Sequence, residues 1–211
     1  MDVYLPPKAT DRFLLYLAGS DDEQTGWLEE LAERHSLGVV CLPPRGAWWL
    51  PKPCRAFGGR APEAYLMEQV VPALREAHGA RRFGLAGLGM GGQGALRIAF
   101  KHARLFPAVA AVQPWVDFHE RYWEDEVLQE AFADVETARQ YTATLWINPL
   151  DRPMHIHLYA TAADSNWYPG IQRLHEKLVA IGVPHEWEEF RGAEGLDVVR
   201  RAVERLVARI A

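Results

Sequence analysis

The chain has 211 residues, of which 49% are hydrophobic and 24% are charged, and its formal net charge is −5. This length and composition are ordinary for a globular protein, and we expect residues 1–211 to form a single domain. The negative net charge, without a dense stripe of Lys and Arg, argues against nucleic acid as a partner.

Cysteine usage and hydropathy predict where the protein resides. Cys41 and Cys54 are the two cysteines, too few to imply a disulfide framework, which favours a reducing environment. The first ten residues lack the basic and apolar regions of a signal peptide. No apolar run reaches the roughly 18 residues of a transmembrane helix. We therefore expect a cytoplasmic protein without a membrane partner.

Short apolar runs alternate with amphipathic stretches along the chain. Strands are predicted at 13–17, 38–42, 82–87, 108–113, 155–160 and 185–190. Helices are predicted at about 27–35, 63–76, 92–102 and 135–144, and after each of the last two strands. Pro72 is expected to kink or divide the second helix.

Strands that are apolar on both faces and joined by helices are typical of a parallel sheet covered on both sides. The sequence therefore predicts an α/β fold, with a mostly parallel sheet of about six strands and helices on both faces. The segment 114–153 is too long for a plain crossover, and it is a candidate cap over the site.

The sharpest junction between a strand and a helix is a glycine cluster at 86–96. One interpretation is a dinucleotide-binding turn, because Gly87, Gly89 and Gly92 satisfy G-x-G-x-x-G. That turn expects an acidic residue about 20 positions further on, but no carboxylate follows the next strand before Asp117. A dinucleotide-binding protein is therefore the weakest alternative.

A second interpretation is a nucleophile elbow, G-x-S-x-G, with Gly89 in the place of the serine. The central residue of such a turn adopts a positive φ, which costs a non-glycine residue about 1–3 kcal/mol. Glycine removes that strain where no hydroxyl is needed. A third interpretation, in which the glycines serve only close packing, does not explain why both Gly87 and Gly89 are present.

Residues 87–96, Gly-Leu-Gly-Met-Gly-Gly-Gln-Gly-Ala-Leu, resemble the G-L-S-M-G-G-x-G-A-L segment of a known esterase family. That family includes S-formylglutathione hydrolase-like and acetyl xylan esterase-like proteins. Further similarity lies at 15–20, 70–72, 104–111, 173–178 and 182–186. The chain is identified as a member of this family from about residue 12 to the end, and the resemblance implies an α/β-hydrolase fold.

The resemblance also implies the positions of the catalytic triad. Gly89 stands at the nucleophile position, Asp164 at the triad acid and Glu194 at the triad histidine. The serine and the histidine are therefore both absent, and a carboxylate cannot replace the imidazole beside another carboxylate, because the two charges repel. The backbone oxyanion donors, at Met90 and Gly19, are expected to be retained. We expect no metal and no cofactor.

Eight tryptophans are many for this length. Trp48, Trp49, Trp115 and Trp167 lie in loops expected near the carboxyl ends of the strands, where they would line a pocket for a small molecule. Core packing is the alternative for some of them.

The favoured hypothesis is an inactive or weakly active esterase-family protein that binds a small acyl, sugar-like or peptide ligand. The alternative is an active ester hydrolase in which Asp164 or Glu194 activates water.

Overall fold

The computed structural model describes residues 1–8, 10–191 and 195–210. Within these residues the chain forms one seven-stranded sheet, in the order β1-β3-β2-β4-β5-β6-β7. Its strands are β1 (Asp2–Tyr4), β2 (Arg12–Leu17), β3 (Gly38–Leu42), β4 (Arg82–Leu88), β5 (Ala108–Val112), β6 (His155–Ala160) and β7 (Glu186–Glu189). Strands β2 to β7 run parallel, and β1 is antiparallel to β3.

Helices connect each strand from β2 onward to the next one. The α-helices of the described residues are α1 (Trp27–His35), α2 (Pro62–Tyr65), α3 (Val71–His78), α4 (Gly89–Lys101), α5 (Glu126–Ala131), α6 (Val135–Arg139), α7 (Tyr168–Ala180) and α8 (Gly195–Val207). Short 3₁₀ helices lie at Arg55–Phe57, Phe118–Glu124 and Ala143–Leu145. In the part of the chain that is described, no helix combines the length and the apolar character that crossing a bilayer requires.

The predicted α/β fold with a mostly parallel sheet is confirmed, and all six predicted strands are present to within one residue at each end. The sheet has a seventh strand, β1, which the sequence did not predict. It contains three residues, with Val3 opposite Val40 on the outer edge of β3. A strand this short has no measurable alternation of apolar and polar residues, so only the pairing itself defines it.

The expected interruption at Pro72 takes the form of a π turn. Leu66–Val70 forms this wider turn between α2 and α3, and Pro72 is the second residue of α3. Proline has no N–H to donate to the carbonyl four residues earlier, and its ring crowds that carbonyl. The π turn loosens the backbone at the point where the regular hydrogen bond is missing.

The side chains of β2 alternate between the two faces of the sheet, as the pleat requires. Phe13, Leu15 and Leu17 pack in the cluster that contains the buried faces of α3, α4 and α7. Leu14 and Tyr16 point to the opposite face, which α1 and α8 cover. The core therefore consists of two apolar layers, one on each side of the sheet.

The segment 114–153, the candidate cap, contains α5, α6 and two of the 3₁₀ helices. A third apolar cluster contains most of its buried apolar side chains, together with Trp48 and Leu50 from the loop after β3. Val116 and Ala143 instead pack in the layer that contains α4. The helix predicted at 135–144 is shorter than expected, since α6 ends at Arg139. The role of the segment as a cap stays a prediction.

A buried ion pair joins α4 to the chain that follows β3. Arg97 is fully buried, and its guanidinium donates to Glu63 Oε2 at 2.6 Å and to the carbonyl oxygen of Trp49. Lys101 and His102 also contact the Glu63 carboxylate, at 2.7 and 3.2 Å. Arg97 thereby fixes the main chain of the loop that carries Trp48 and Trp49.

The electrostatics of this cluster favour an ionised Glu63. Burial opposes ionisation of this carboxyl, but the hydrogen bond from His102 and the charge of Arg97 outweigh it. The pKa of Glu63 therefore lies well below its ordinary value. A carboxyl with a depressed pKa stabilises the fold above its unfolded-state pKa, and that stabilisation is lost as the pH falls through the folded value.

We predict that Glu63→Gln lowers the free energy of unfolding by about 3–5 kcal/mol at neutral pH, because it leaves Arg97 buried without a counter-charge. Urea denaturation measures this loss. Glu30→Gln is the matched control, since Glu30 pairs with Arg34 on the surface, and exposed pairs contribute at most about 1 kcal/mol. Equal losses in the two variants would contradict this account of the buried pair.

Candidate functional site

The turn from β4 into α4 brings three backbone segments into direct contact. A Cβ atom on Gly91 would overlap the carbonyl oxygen of Leu17 in β2, and one on Gly87 would overlap the backbone of Gly91. A Cβ on Gly19, in the loop after β2, would lie 2.5 Å from the carbonyl oxygen of Leu88. These positions require glycine whatever the chemistry of the site, because backbone atoms occupy the space of a side chain.

Gly89 is the residue at the apex of this turn. It is the first residue of α4, and its φ is +54°. A positive φ at the junction of a central strand and the following helix is the conformation expected of a nucleophile elbow. The local geometry of the elbow is therefore present, although the residue at its apex has no side chain.

Trp115 forms the wall that a side chain at position 89 would meet. A Cβ built on Gly89 would lie 3.2 Å from Cε2 and 3.3 Å from Nε1 of Trp115. Contacts this tight require the ring to shift slightly. The backbone N–H of Trp115 donates to the carbonyl oxygen of Gly89 at 3.1 Å, which ties the two residues together.

Three of the predicted pocket aromatics pack on one another at the elbow. The rings of Trp115 and Trp167 are stacked, with centroids 4.9 Å apart and planes 10° apart. The ring of Trp48 lies 5.6 Å from that of Trp115 and 6.5 Å from that of Trp167. Trp48 Nε1 donates to Asp125 Oδ2 at 2.7 Å, which links the group to the segment 114–153. Trp48, Trp115 and Trp167 are called the elbow tryptophans below.

The fourth predicted pocket aromatic, Trp49, is placed differently. Its side chain is fully buried in the layer that contains α4, and its ring packs edge-on against Phe57 at 5.8 Å. Its φ is +53°, a left-handed backbone conformation that is uncommon for a bulky residue. Trp49 lines a separate cavity at the end of β3.

Asp164, the predicted triad acid, lies in the loop after β6 next to the elbow tryptophans. Its Oδ1 accepts a hydrogen bond from the backbone N–H of Trp167 at 3.4 Å, and its Oδ2 accepts one from Gln113 at 3.3 Å. Contacts therefore run from Gly89 through Trp115 and Trp167 to the Asp164 carboxylate. The predicted triad-histidine position, Glu194, lies outside the described residues.

Gln113 is a residue of the site that the sequence did not reveal. It follows β5 directly, its φ is +43°, and its side chain is 9% exposed. Its Oε1 accepts from the backbone N–H of Thr161 at 2.6 Å while its amide group donates to Asp164. Gln113 thus holds the loop that carries the acid against the end of the neighbouring strand. The one available signal was a polar residue ending an apolar strand before Pro114.

The two predicted oxyanion donors differ in their surroundings. Met90 is the second residue of α4, so its N–H is among the first four of the helix and has no carbonyl partner within it. The N–H of Gly19 instead donates to Glu23 Oε2 at 2.6 Å. The Glu23 carboxylate therefore binds the donor that an oxyanion would need.

Glu23 was not singled out from the sequence. Besides Gly19, it accepts a hydrogen bond from the hydroxyl of Tyr16, a fully buried residue of β2. Burial raises the pKa of the Glu23 carboxyl, and the hydrogen bonds from Tyr16 and Gly19 offset only part of this shift.

In the described part of the chain, no group of three or more His, Cys, Asp or Glu residues is arranged to hold a metal ion.

A parallel sheet with a positive-φ elbow after its central strand defines the class of proteins with the α/β-hydrolase fold, and solved structures agree. The fluorophosphonate-binding serine hydrolase FphF of Staphylococcus aureus superposes with a TM-score of 0.77 at 15% identity, covering 99% of this chain and 90% of its own. An S-formylglutathione hydrolase from Agrobacterium tumefaciens gives 0.77 at 20% identity, covering 99% and 89%. A ferulic acid esterase gives 0.76 at 16% identity, covering 99% and 91%.

The sequence itself places the chain more narrowly within that class. Residues 56–195 match the family described as "Putative esterase". The chain belongs to this esterase family, which confirms the resemblance inferred from the glycine cluster. No curated protein sequence matches the chain.

We predict that Glu23→Gln stabilises the protein increasingly as the pH rises. A carboxyl with a raised folded-state pKa costs stability once it ionises, so the wild type loses stability relative to the variant as the pH rises from the ordinary pKa of a glutamate through the raised folded-state value. The amide can still accept from the N–H of Gly19. The difference in Tm between variant and wild type, measured across this range, checks the prediction.

Glu33→Gln is the control, because Glu33 lies exposed on α1. Its difference in Tm from the wild type should change little over the same pH range. A difference for Glu23→Gln that stays constant with pH would show that the buried carboxyl does not carry the cost assigned to it.

Proposed function

We propose that this chain is a member of the esterase family that binds a small molecule and does not hydrolyse it efficiently. The observation that carries the proposal is the elbow itself. Its backbone geometry is that of a nucleophile turn, yet Gly89 offers no hydroxyl, and the Trp115 ring lies against the position where a side chain would begin. Covalent catalysis by a serine cannot begin at this residue.

The triad-histidine position supports the same conclusion. The resemblance places Glu194 at that position. A carboxylate cannot replace the imidazole, because the triad needs one ring nitrogen that accepts the proton of the nucleophile and a second that donates a hydrogen bond to the acid. Asp164 is the one member of the implied triad that the chain retains. Because the nucleophile and the base of the implied triad are both missing, Asp164 has no histidine to orient.

The oxyanion site supports it further. Glu23 places a carboxylate on the N–H of Gly19, so a substrate oxyanion would have to displace a group of the same charge. Even an intact oxyanion site without its triad retains only about 10³–10⁴-fold catalysis over water. The geometry therefore favours binding over turnover.

An active hydrolase with non-standard residues is the competing function. The feature in its favour is Asp164, a partly exposed carboxylate held by Gln113 beside the elbow tryptophans, which could activate water.

Membership of the esterase family argues against the dinucleotide-binding alternative. Location in the cytoplasm stays a prediction, based on cysteine usage; Cys41 and Cys54 are both buried and free.

Assays with short p-nitrophenyl esters and a serine-directed fluorophosphonate probe test the proposal. We expect neither turnover above buffer nor labelling of the wild-type protein. Turnover clearly above buffer that Asp164→Ala or Glu194→Gln abolishes would overturn the proposal and establish the alternative. Asp21→Ala is the control for those variants, since Asp21 is an exposed carboxylate that accepts from the backbone of Arg45.

We also predict that Gly89→Ser does not restore hydrolysis. A non-glycine residue at this φ costs about 1–3 kcal/mol of stability, and no histidine stands at position 194 to activate the hydroxyl. Gly89→Ala is the matched control, because it has the same strain without the nucleophile. The two variants should show equal losses in urea denaturation and no labelling by the probe. Labelling of the serine variant alone would reveal a base elsewhere in the site.

A further inference from the structure

We propose that a cavity at the carboxyl end of β3, separate from the elbow, binds small aromatic carboxylates. This inference goes beyond the proposed function, because it names a ligand class and a place that do not depend on the chemistry of the elbow. The cavity has a volume of about 310 Å³, at the low end of the roughly 300–1,000 Å³ typical of ligand sites. This size suits a ligand built on a single ring.

The walls of the cavity provide the apolar part of the site. Trp49, Phe57 and Tyr65 line it together with Leu42. Phe57 stands in the middle of the three rings, at 5.8 Å from Trp49 with an interplanar angle of 67° and at 5.8 Å from Tyr65 with an angle of 62°. Trp49 is fully buried, so the ring faces and edges that remain open to a further aromatic ring are those of Phe57 and Tyr65, which are partly exposed.

The polar part of the site is positively charged. Arg45 and Arg60 both line the cavity and both are exposed, and its lining contains no Asp or Glu. The Asp21 carboxylate contacts the main chain of Arg45, where its Oδ1 accepts a hydrogen bond from the backbone N–H at 2.9 Å. Neither guanidinium forms an ion pair with a residue of the described ranges.

The charge of these two arginines is opposite to that of the chain as a whole, which is −5. The guanidinium of Arg45 lies 5.8 Å from the centroid of the Phe57 ring, so one charged group already stands above the aromatic wall. Guanidinium groups match a carboxylate with two parallel hydrogen bonds. A ring with a carboxylate attached therefore complements both parts of the cavity.

The loop after β3 separates this cavity from the elbow. Trp48 points to the elbow tryptophans, and Trp49, the next residue, points to the cavity. Arg97 fixes the carbonyl of Trp49 on the side of α4, and a Cβ on Gly94 of that helix would lie 2.5 Å from Trp49 Cβ. The cavity wall is thus held rigidly, which lowers the entropic cost of binding.

Isothermal titration calorimetry with benzoate tests the inference on the full chain. We expect benzoate to bind at low ionic strength and to bind more weakly as salt is added. Benzyl alcohol, which has the ring without the charge, and acetate, which has the charge without the ring, should each bind at least about tenfold more weakly, because each loses one part of the complementarity.

Variants locate the binding. Arg45→Gln and Arg60→Gln should each weaken benzoate binding about tenfold, since a hydrogen bond to a charged group is lost. Arg55→Gln is the matched control, because Arg55 lies in the same loop with its side chain 92% exposed, outside the cavity and 3.4 Å from Glu130. Its affinity for benzoate should equal that of the wild type.

The outcomes separate this inference from the proposed function. No benzoate binding, equal binding of benzyl alcohol, or equal effects of all three arginine variants would overturn the inference, and the absence of ester hydrolysis would still stand. Ester turnover by a protein that also binds benzoate through Arg45 and Arg60 would overturn the proposed function and leave the cavity assignment intact.

Discussion

The contact of three backbones at the start of α4 is the constraint from which the rest of the site follows. The end of β2, the end of β4 and the first turn of α4 meet with no space for a Cβ at Gly87 or Gly91. This approach forces the chain to turn abruptly, which gives Gly89 its positive φ and points the N-terminus of α4 toward the carboxyl edge of the sheet. Packing of the backbones thus maintains the turn, so the turn is present although Gly89 lacks the hydroxyl of a catalytic serine.

A second constraint fixes the positions of the loops at the carboxyl edge of the sheet. Arg97, on the buried side of α4, binds both Glu63 and the main chain at Trp49. Because the guanidinium has no access to solvent, its charge is satisfied only when α2 and the loop after β3 are both in place. The same contact holds the main chain at the point where the rings of Trp48 and Trp49 lie on different sides of the loop.

The parts of the structure that could be predicted are those with a local cause. Strands β2 to β6 are largely apolar runs, whereas β7 contains three glutamates and one tryptophan. The glycines of the elbow indicate a close approach of backbones whatever their position in the fold. Gln113 could not be found in this way, because its role depends on Asp164, which lies 51 residues further along the chain. Glu23 is only seven residues from Tyr16, but their contact crosses the loop after β2, and no local pattern of residues displays it. Trp49 lies apart from the other three loop tryptophans for a similar reason: the direction of a ring in a loop depends on φ, here +53°, and on its tertiary partners.

The stacked pair of Trp115 and Trp167 has an optical consequence. Two indoles with centroids 4.9 Å apart and nearly parallel planes share their excited states, so their near-ultraviolet circular dichroism and emission differ from those of separate tryptophans. Trp115 lies against Gly89, and Trp167 follows the loop that Gln113 holds. The chain therefore contains a built-in spectroscopic reporter, which responds to the spacing between the elbow and the Asp164 loop without any added label.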